Sequence, residues 1–244
     1  MMEYKKKLMK TKNKKKRYYY LRINENGNKK IISKNNFLEE EEKKKKKFIF
    51  LVNIYKNING FNITQKEKDL ILHKNGSPIY GEITYPSMKK IIKKLNLKQD
   101  DVFYDLGSGI GKFVIYMYLF TKIKKSVGIE LSETRYKTSI KMLQKIKENR
   151  LIEFNRELNF IYGDIVEEDI SDATIIYMCS TCYSDKLLQK LIQRFIKLSS
   201  RLRIITLKKL PDNLQLIYMD TWKISTTWAN ETDIYYYELN NNIV

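Results

Sequence analysis

DVFYDLGSGIGKFV, residues 101–114, joins a short apolar run to a glycine turn and then to a second apolar run with helical spacing. Residues 102–104 predict a buried strand, and we expect a helix to begin near Ile110. Glycine lets the backbone turn sharply and approach a ligand closely, and three glycines lie between these elements: Gly107, Gly109 and Gly111. The stretch therefore predicts a ligand held at a strand-to-helix turn.

The residues around the turn exclude two common phosphate sites. A phosphate loop of the GxxxxGK[ST] type needs glycine where Leu106 stands and a hydroxyl residue where Phe113 stands. The dinucleotide pattern GxGxxG is also absent, because the glycines run G-S-G-I-G. Asp105 directly precedes the turn, where a carboxylate repels a pyrophosphate and pairs well with an ammonium group.

The ligand that matches this chemistry is S-adenosylmethionine, which carries an ammonium group and no phosphate. About 25 residues after Asp105, a second predicted strand at 126–131 carries Glu130 near its end, where a βαβ unit places its ribose-binding acid. Turn and acid together favour the sulfonium cofactor over NAD. An α/β domain with a tight glycine turn and no ligand is the alternative.

Length and composition favour one domain with a basic arm. The chain has 244 residues, of which 43% are hydrophobic, and its formal charge is +19. Residues 1–47 hold 18 Lys/Arg against 6 Asp/Glu, whereas residues 48–244 hold 29 against 22. We expect 1–47 to be a mostly disordered arm that contacts nucleic acid or nucleosomes, although lysine runs can also reflect genome composition.

Other features bear on compartment and metals. No apolar run approaches the roughly 20 residues that span a bilayer, and no secretory signal is evident. Two cysteines and one histidine cannot supply a four-ligand zinc site of the Cys/His kind, so we expect no metal. We expect a monomer in a reducing compartment, the nucleus or the cytoplasm.

The methyltransferase domain is predicted over residues 48–244, with a helical lead-in at 48–100. Helices are expected at 48–55, after a capping box that starts at Thr64, and from Pro86. Strands and helices then alternate, with strands at 160–164, 174–178 and 203–207 and a helix capped by Ser184. The final strands, 214–224 and 233–239, are joined by a turn and should pair antiparallel. Seven strands ending in a hairpin form the α/β plan of class I methyltransferases, a Rossmann-like sheet.

In open α/β sheets the ligand lies outside the carboxyl ends of the strands. That rule brings the glycine turn, Asp105, Glu130, Asp164 and the loop 179–183 around one crevice. Asp164 follows the third strand of this series, where it can accept a hydrogen bond from the adenine amino group, and Ile165 can pack on the ring.

The chain resembles the disruptor-of-telomeric-silencing methyltransferases, the non-SET histone-lysine methyltransferases, and is most similar to their short bacterial and protist relatives. The resemblance covers roughly residues 62–244 and rests on five stretches: Tyr80-Gly-Glu82, Asp105-Leu-Gly-Ser-Gly109, Gly128-Ile-Glu130, Gly163-Asp164, and Trp228 followed by Tyr235-Tyr-Tyr237. It implies a protein-lysine N-methyltransferase acting on histone or chromatin. It also implies that Tyr80, Glu82 and Ile83 line the methionine end of the cofactor, and that Trp228 and Tyr235 wall a lysine channel.

One departure from the family lies after the fourth strand, where Cys179-Ser180 replaces paired asparagines. The expected cofactor-binding residues are Tyr80, Glu82, Ile83, Asp105, Gly107, Ser108, Gly109, Gly111, Lys112, Glu130, Asp164, Ile165 and Cys179. The expected catalytic set is Ser180, Tyr183, Trp228 and Tyr235, with aromatic walls that align a lysine and desolvate its amine.

Three alternatives stay open. Cys179-Ser-Thr-Cys182 is a CxxC before a predicted helix, where a thiol pKa is lowered, so a thiol oxidoreductase is one. A methyltransferase of a non-histone protein or other acceptor is the second. The third is a non-catalytic protein that binds the cofactor or works through its basic arm.

Overall fold

The computed structural model describes residues 3–10, 16–23, 29–199 and 201–240. Three strands form an antiparallel sheet near the start: β1 (Glu3–Lys10), β2 (Lys16–Ile23) and β3 (Lys29–Ile32). Helix α1 (Lys34–Ile54) follows, with Ser33 as its N-cap. The described part of the predicted arm, 1–47, thus contains three strands and the first part of α1, and the predicted boundary at 47/48 lies inside that helix.

The acidic and basic blocks of the arm explain why α1 is continuous. Its four glutamates and five lysines follow one another, so opposite charges lie one helical turn apart. Lys44 pairs with Glu41 at 2.9 Å and Lys46 with Glu42 at 3.0 Å. The last turn is apolar, and Leu51 and Ile54 are buried in the core.

Two shorter helices complete the lead-in. Helix α2 (Gln65–His73) starts at the predicted capping box, in which Thr64 and Glu67 bond to each other's backbone N–H groups. Helix α3 (Tyr85–Lys94) is capped by Thr84 and has a proline in its first turn, as predicted. Between α2 and α3 lies a segment without regular structure, residues 74–84, which we call the strap.

The main sheet has seven strands in the order β6-β5-β4-β7-β8-β10-β9. The first five in the chain are parallel neighbours, whereas β10 is antiparallel to both β8 and β9. The prediction of a class I methyltransferase fold with a terminal hairpin is confirmed. The strands are β4 (Val102–Leu106), β5 (Lys125–Glu130), β6 (Glu157–Tyr162), β7 (Ile175–Met178), β8 (Arg203–Thr206), β9 (Leu216–Ile224) and β10 (Thr232–Leu239).

Helices cover both faces of this sheet. Residues of α1, α3, α4 (Lys112–Phe120) and α5 (Glu133–Glu148) form one apolar cluster, and α6 (Asp185–Phe195) packs in a second cluster on the opposite face. Helix α4 starts two residues later than expected, because Gly111 has a φ of 81° and cannot continue a right-handed helix. None of the helices in the described ranges is long and apolar enough to cross a membrane.

Candidate active site

The glycine turn lies between the carboxyl end of β4 and the start of α4. Gly107, Gly109 and Gly111 have φ values of 85°, 56° and 81°, a left-handed region that disfavours other residues. The backbone N–H groups of Gly107 and Ser108 both donate to the Ile129 carbonyl oxygen, at 2.9 and 3.0 Å. These bonds tie the turn to β5 and leave a cleft above the carboxyl ends of the strands.

The cleft, together with its open mouth, encloses about 1000 Å³ of space between the protein atoms. Most of the predicted residues line it: Tyr80, Glu82, Ile83, Asp105, Gly107, Ser108, Gly109, Lys112, Glu130, Asp164, Ile165, Cys179 and Tyr183. Gly111 is not in the lining. It caps α4, and a side chain there would collide with the ring of Phe160.

Two buried carboxylates lie on either side of the turn. Glu130 accepts hydrogen bonds from the backbone N–H of Gly109, at 2.7 Å, and of Ser132, at 2.8 Å. Burial raises the pKa of Glu130, an effect opposed by the charge of Arg135. Asp105 is 4% exposed, and burial, then the charge of Glu130, raises its pKa well above the ordinary value.

Three buried polar atoms in the lining form no hydrogen bond within the described residues: Asp105 Oδ1, Ser108 Oγ and Tyr177 Oη. A buried polar atom without a partner is costly, so a cluster of them marks a place where a ligand completes the bonding. The group implied by the resemblance, S-adenosylmethionine, has donors and acceptors of the required kinds. The residues present fit it.

The strap lines the cleft, and hydrogen bonds and an ion pair hold it in place. Tyr80 donates to the Glu82 carboxylate at 2.5 Å, and Lys112 forms an ion pair with the same carboxylate. The Arg135 guanidinium lies 4.8 Å from the centre of the Tyr80 ring and donates to the Pro78 carbonyl oxygen at 2.8 Å. Arg135 thus fixes the position of the strap through its contacts with Pro78 and Tyr80.

Asp164 and Ile165, the residues predicted for the adenine side, also line the cleft. Asp164 Oδ2 lies 3.1 Å from the Lys74 ammonium, and Oδ1 accepts from the backbone N–H of Val166 at 2.9 Å. Lys74 also pairs with Glu167 at 2.6 Å. The strap is therefore joined to the β6 end of the site by Lys74.

The loop after β7 places its residues on different sides. Cys179 lines the cleft, and its thiol donates to the Gly81 carbonyl oxygen at 3.8 Å. Tyr183 also lines it and donates to the Leu106 carbonyl oxygen at 2.8 Å. Ser180 is fully buried and outside the cleft, with its hydroxyl bonded to Thr206 at 2.5 Å and to the backbone N–H of Lys208 at 3.0 Å.

The structure separates the two residues expected to wall a lysine channel. Trp228 is 47% exposed and lies against Gly81 of the strap, at the rim of the cleft. Tyr235 is a register partner of Thr206 and Thr221 and packs with the apolar cluster on the α6 face. Tyr235 and Ser180 are thus not brought to the cleft, whereas Trp228 reaches its edge.

The CxxC pair has the wrong electrostatics for thiol chemistry. Burial, with a further contribution from the charge of Asp105, raises the pKa of Cys179 to about 12. A reactive thiol needs a lowered pKa. Both cysteines are free, and Cys182 is exposed. The geometry therefore does not support the oxidoreductase alternative.

Sequence reasoning missed three residues of the site. Arg135 could have been suspected because it lies in the first turn of α5, five residues after Glu130. Glu67 accepts from Ser132 Oγ at 2.7 Å and from the backbone N–H of Thr134 at 2.8 Å, so it clamps α2 to the segment behind Glu130. Tyr177 gave no signal, because β7 is buried throughout and shows no alternation.

Comparison with known proteins agrees with this architecture. The family model for the histone methylation protein DOT1 matches residues 60–242. A histone-lysine N-methyltransferase of Caenorhabditis elegans, H3 lysine-79 specific, is 30% identical over 145 residues, which are 56% of this chain and 15% of that protein. A protein-lysine N-methyltransferase of Saccharolobus islandicus is 27% identical over 120 residues, covering 48% of this chain and 71% of that protein.

Two further comparisons bear on length and fold. The Drosophila melanogaster H3 lysine-79-specific enzyme is 26% identical over 136 residues, 53% of this chain and 7% of that protein, so the chain spans a small part of its animal relatives. A putative RNA methyltransferase from Pyrococcus horikoshii aligns with a TM-score of 0.50 at 16% identity, over 83% of this chain and 98% of that one. That likeness concerns the fold. Because the family model covers well over half of the sequence, the chain belongs to the DOT1 family of histone methylation proteins.

Proposed function

We propose that the protein is an S-adenosylmethionine-dependent protein-lysine N-methyltransferase. The observation that carries the proposal is the buried, unpartnered oxygen of Asp105 in a cleft that the ion pair of Glu82 and Lys112 also lines. An amino-acid end carries one ammonium and one carboxylate. Asp105 matches the first and Lys112 the second.

Other residues of the cleft would contact the ribose and the adenine of the cofactor. Glu130 uses each carboxylate oxygen for one backbone bond and keeps lone pairs for ribose hydroxyls. Asp164 and Ile165 also line the cleft, where Asp164 would accept a hydrogen bond from the adenine amino group and Ile165 would offer an apolar surface for the ring. The bound cofactor supplies an electrophilic methyl group.

The protein's task in the reaction is positioning. Transfer to an amine is an in-line displacement, so the acceptor nitrogen must be neutral and must face the methyl group. Trp228 at the rim and Cys179 inside the cleft line the approach from the strap side. An apolar approach of this kind favours a neutral amine by withholding water.

The acceptor class follows from the relatives. The animal relatives are specific for histone H3, and the Saccharolobus relative is a protein-lysine enzyme. We therefore infer a lysine side chain as the acceptor, with histone H3 as the first candidate. The segment before α1 supports contact with chromatin, since residues 1–32 hold 12 Lys/Arg and 2 Asp/Glu.

The test is transfer of labelled methyl from S-adenosylmethionine to four acceptor pools: nucleosomes, free histones, whole-cell protein and RNA. We expect label in a protein band, recovered as N-methyllysine after hydrolysis, and no transfer by Asp105→Ala. Label only in non-histone protein would move the substrate away from chromatin. A folded wild type that binds the cofactor and labels no pool would instead support a non-catalytic role.

A further inference from the structure

Tyr177 lies directly beside Asp105 in the sheet. The two residues are register partners on the adjacent parallel strands β7 and β4. Directly aligned residues of neighbouring strands point to the same face, and both line the cleft. The Tyr177 ring is fixed by an edge-to-face contact with Phe113 of α4, with the ring centres 4.8 Å apart. The phenol is thus held on the side of the turn where Asp105 is buried.

The hydroxyl of Tyr177 differs from those of the other tyrosines around the site. Tyr55 donates to the Ile110 carbonyl oxygen at 3.0 Å, and Tyr80 and Tyr183 donate to Glu82 and to the Leu106 carbonyl oxygen. Tyr177 is 3% exposed, and its hydroxyl lies beside the Cys179 thiol, a weak hydrogen-bonding group, with no nitrogen or oxygen partner in the described part of the chain. Asp105 Oδ1 has no such partner either. Two neighbouring buried oxygens therefore both lack a nitrogen or oxygen partner among the described residues.

We propose that Tyr177 is a cofactor-binding residue whose phenolic oxygen, together with Asp105, accepts hydrogen bonds from the ammonium group of the cofactor's amino-acid end. The assignment rests on the proposed function and deepens it.

The chemistry of the neighbours favours this ligand. An ammonium group has three N–H donors that point in different directions, so the Asp105 carboxylate on one side of it does not accept from all three. The next lining residue on this strand side is Cys179, whose sulfur is a weak acceptor. The phenol is the neutral oxygen available beside the carboxylate. It adds an acceptor without adding a second negative charge next to Asp105 and Glu130.

The test compares two ligands in three proteins. S-adenosylhomocysteine carries the ammonium group, whereas 5′-methylthioadenosine has the same nucleoside without the amino-acid end. Tyr177→Phe removes only the hydroxyl. Tyr104→Phe is the matched control, because that hydroxyl donates to Asp172 at 2.8 Å away from the cleft. Calorimetry gives the affinities, and thermal melting gives the stability of each ligand-free protein.

We expect Tyr177→Phe to weaken S-adenosylhomocysteine binding about tenfold, the effect of one hydrogen bond to a charged group, and to leave 5′-methylthioadenosine binding unchanged. The melting temperature of the free variant should rise, because an unpartnered buried hydroxyl is removed. Tyr104→Phe should lower the melting temperature and leave both affinities unchanged.

The contrary outcomes separate the two claims. Equal S-adenosylhomocysteine affinity in wild type and Tyr177→Phe would overturn the assignment of Tyr177 alone. Equal weakening of both ligands would also overturn it, since the hydroxyl would then act on the shape of the cleft. A folded wild type that does not bind S-adenosylhomocysteine would overturn the proposed function together with this assignment.

Discussion

The indole of Trp228 lies directly against Gly81: a β-carbon placed on that glycine would come within 2.3 Å of the indole Cζ3 atom. Gly81 has no left-handed φ, so the glycine is needed for space and not for backbone conformation. The contact is backed by the strap itself, since the backbone N–H of Thr227 donates to the Glu82 carbonyl oxygen at 2.8 Å. Glycine at position 81 therefore leaves the space that the Trp228 ring occupies at the rim of the cleft.

Gly81→Ala should displace Trp228 and reduce methyl transfer to protein by about tenfold or more, because loss of acceptor alignment costs rate. Trp228→Ala should behave alike, and Trp228→Phe should keep most of the activity. Steady-state rates with a protein acceptor, alongside cofactor affinity by calorimetry, give the comparison. A cofactor affinity that falls as much as the rate would show that Trp228 belongs to the cofactor site instead.

Cofactor binding should depend on pH through Asp105. Burial raises its pKa in the free protein, whereas a bound ammonium group favours the ionised carboxylate. Binding should therefore release a proton below the raised pKa, so affinity rises with pH up to that pKa and is flat above it. Calorimetry of S-adenosylhomocysteine binding in buffers of different ionisation enthalpy measures the proton. Asp105→Asn should abolish this pH dependence. A wild-type affinity that does not change between roughly pH 4 and pH 8 would argue against the pairing of Asp105 with the ammonium group.

Glu67 should make the fold sensitive to acid. Burial raises the pKa of Glu67, but the hydrogen bonds from Thr134, Thr64 and Ser132 together lower it by more. The net result is a pKa of about 2, against an ordinary value of 4.5. A lowered carboxyl pKa stabilises the fold above the unfolded-state value, and this contribution is lost as pH falls from about 4.5 to about 2.

Glu67→Gln should cost about 2 kcal/mol of unfolding free energy near pH 7, the value of hydrogen bonds to a charged group. The difference from wild type should shrink as pH falls through that window. Denaturant unfolding at several pH values checks it, with Glu157→Gln on the exposed side of β6 as the control. If the two variants lose the same stability at every pH, the clamp between α2 and α5 contributes nothing specific.

The two cysteines should differ strongly in reactivity. The raised pKa of Cys179 leaves little thiolate at neutral pH, whereas Cys182 is exposed. Iodoacetamide should modify Cys182 at least about a hundredfold faster. Peptide mass spectrometry over time measures both rates, and Cys182→Ser should keep full methyl transfer. Loss of transfer in Cys182→Ser would return thiol chemistry to consideration.

Removal of residues 1–32 should flatten the salt dependence of nucleosome or DNA binding. This cut keeps the Ser33 cap and all of α1. Each lost phosphate contact lowers the log–log slope by roughly 0.9 on duplex DNA, so about four contacts would change affinity roughly a hundredfold between about 50 and 200 mM salt. Cofactor affinity should not change, because the cleft is lined by residues 71–187. An identical slope in both proteins would mean that the lysine runs reflect composition.

Local features of this chain were legible in the sequence because their physics is local. The glycine turn, the capping box at Thr64 and the cap at Ser184 depend on contacts within a few residues. The position of Asp105 and Glu130 at the carboxyl ends of their strands follows from the βαβ plan, so the cleft and most of its lining could be predicted. The lysine and glutamate blocks showed charge, but their pairing one turn apart in α1 was not recognised.

Only the tertiary structure determined which side chains face the cleft. All of β7 is buried, so its sequence has no alternation to tell which residues share a face with Asp105, and only its register against β4 brings Tyr177 there. In the loop after β7, Ser180 bonds to Thr206 of β8, whereas Cys179 lines the cleft. Tyr235 points to the α6 side because β10 pairs with β8 in a register set by burial on both faces. Long-range packing, which no local pattern encodes, made these choices.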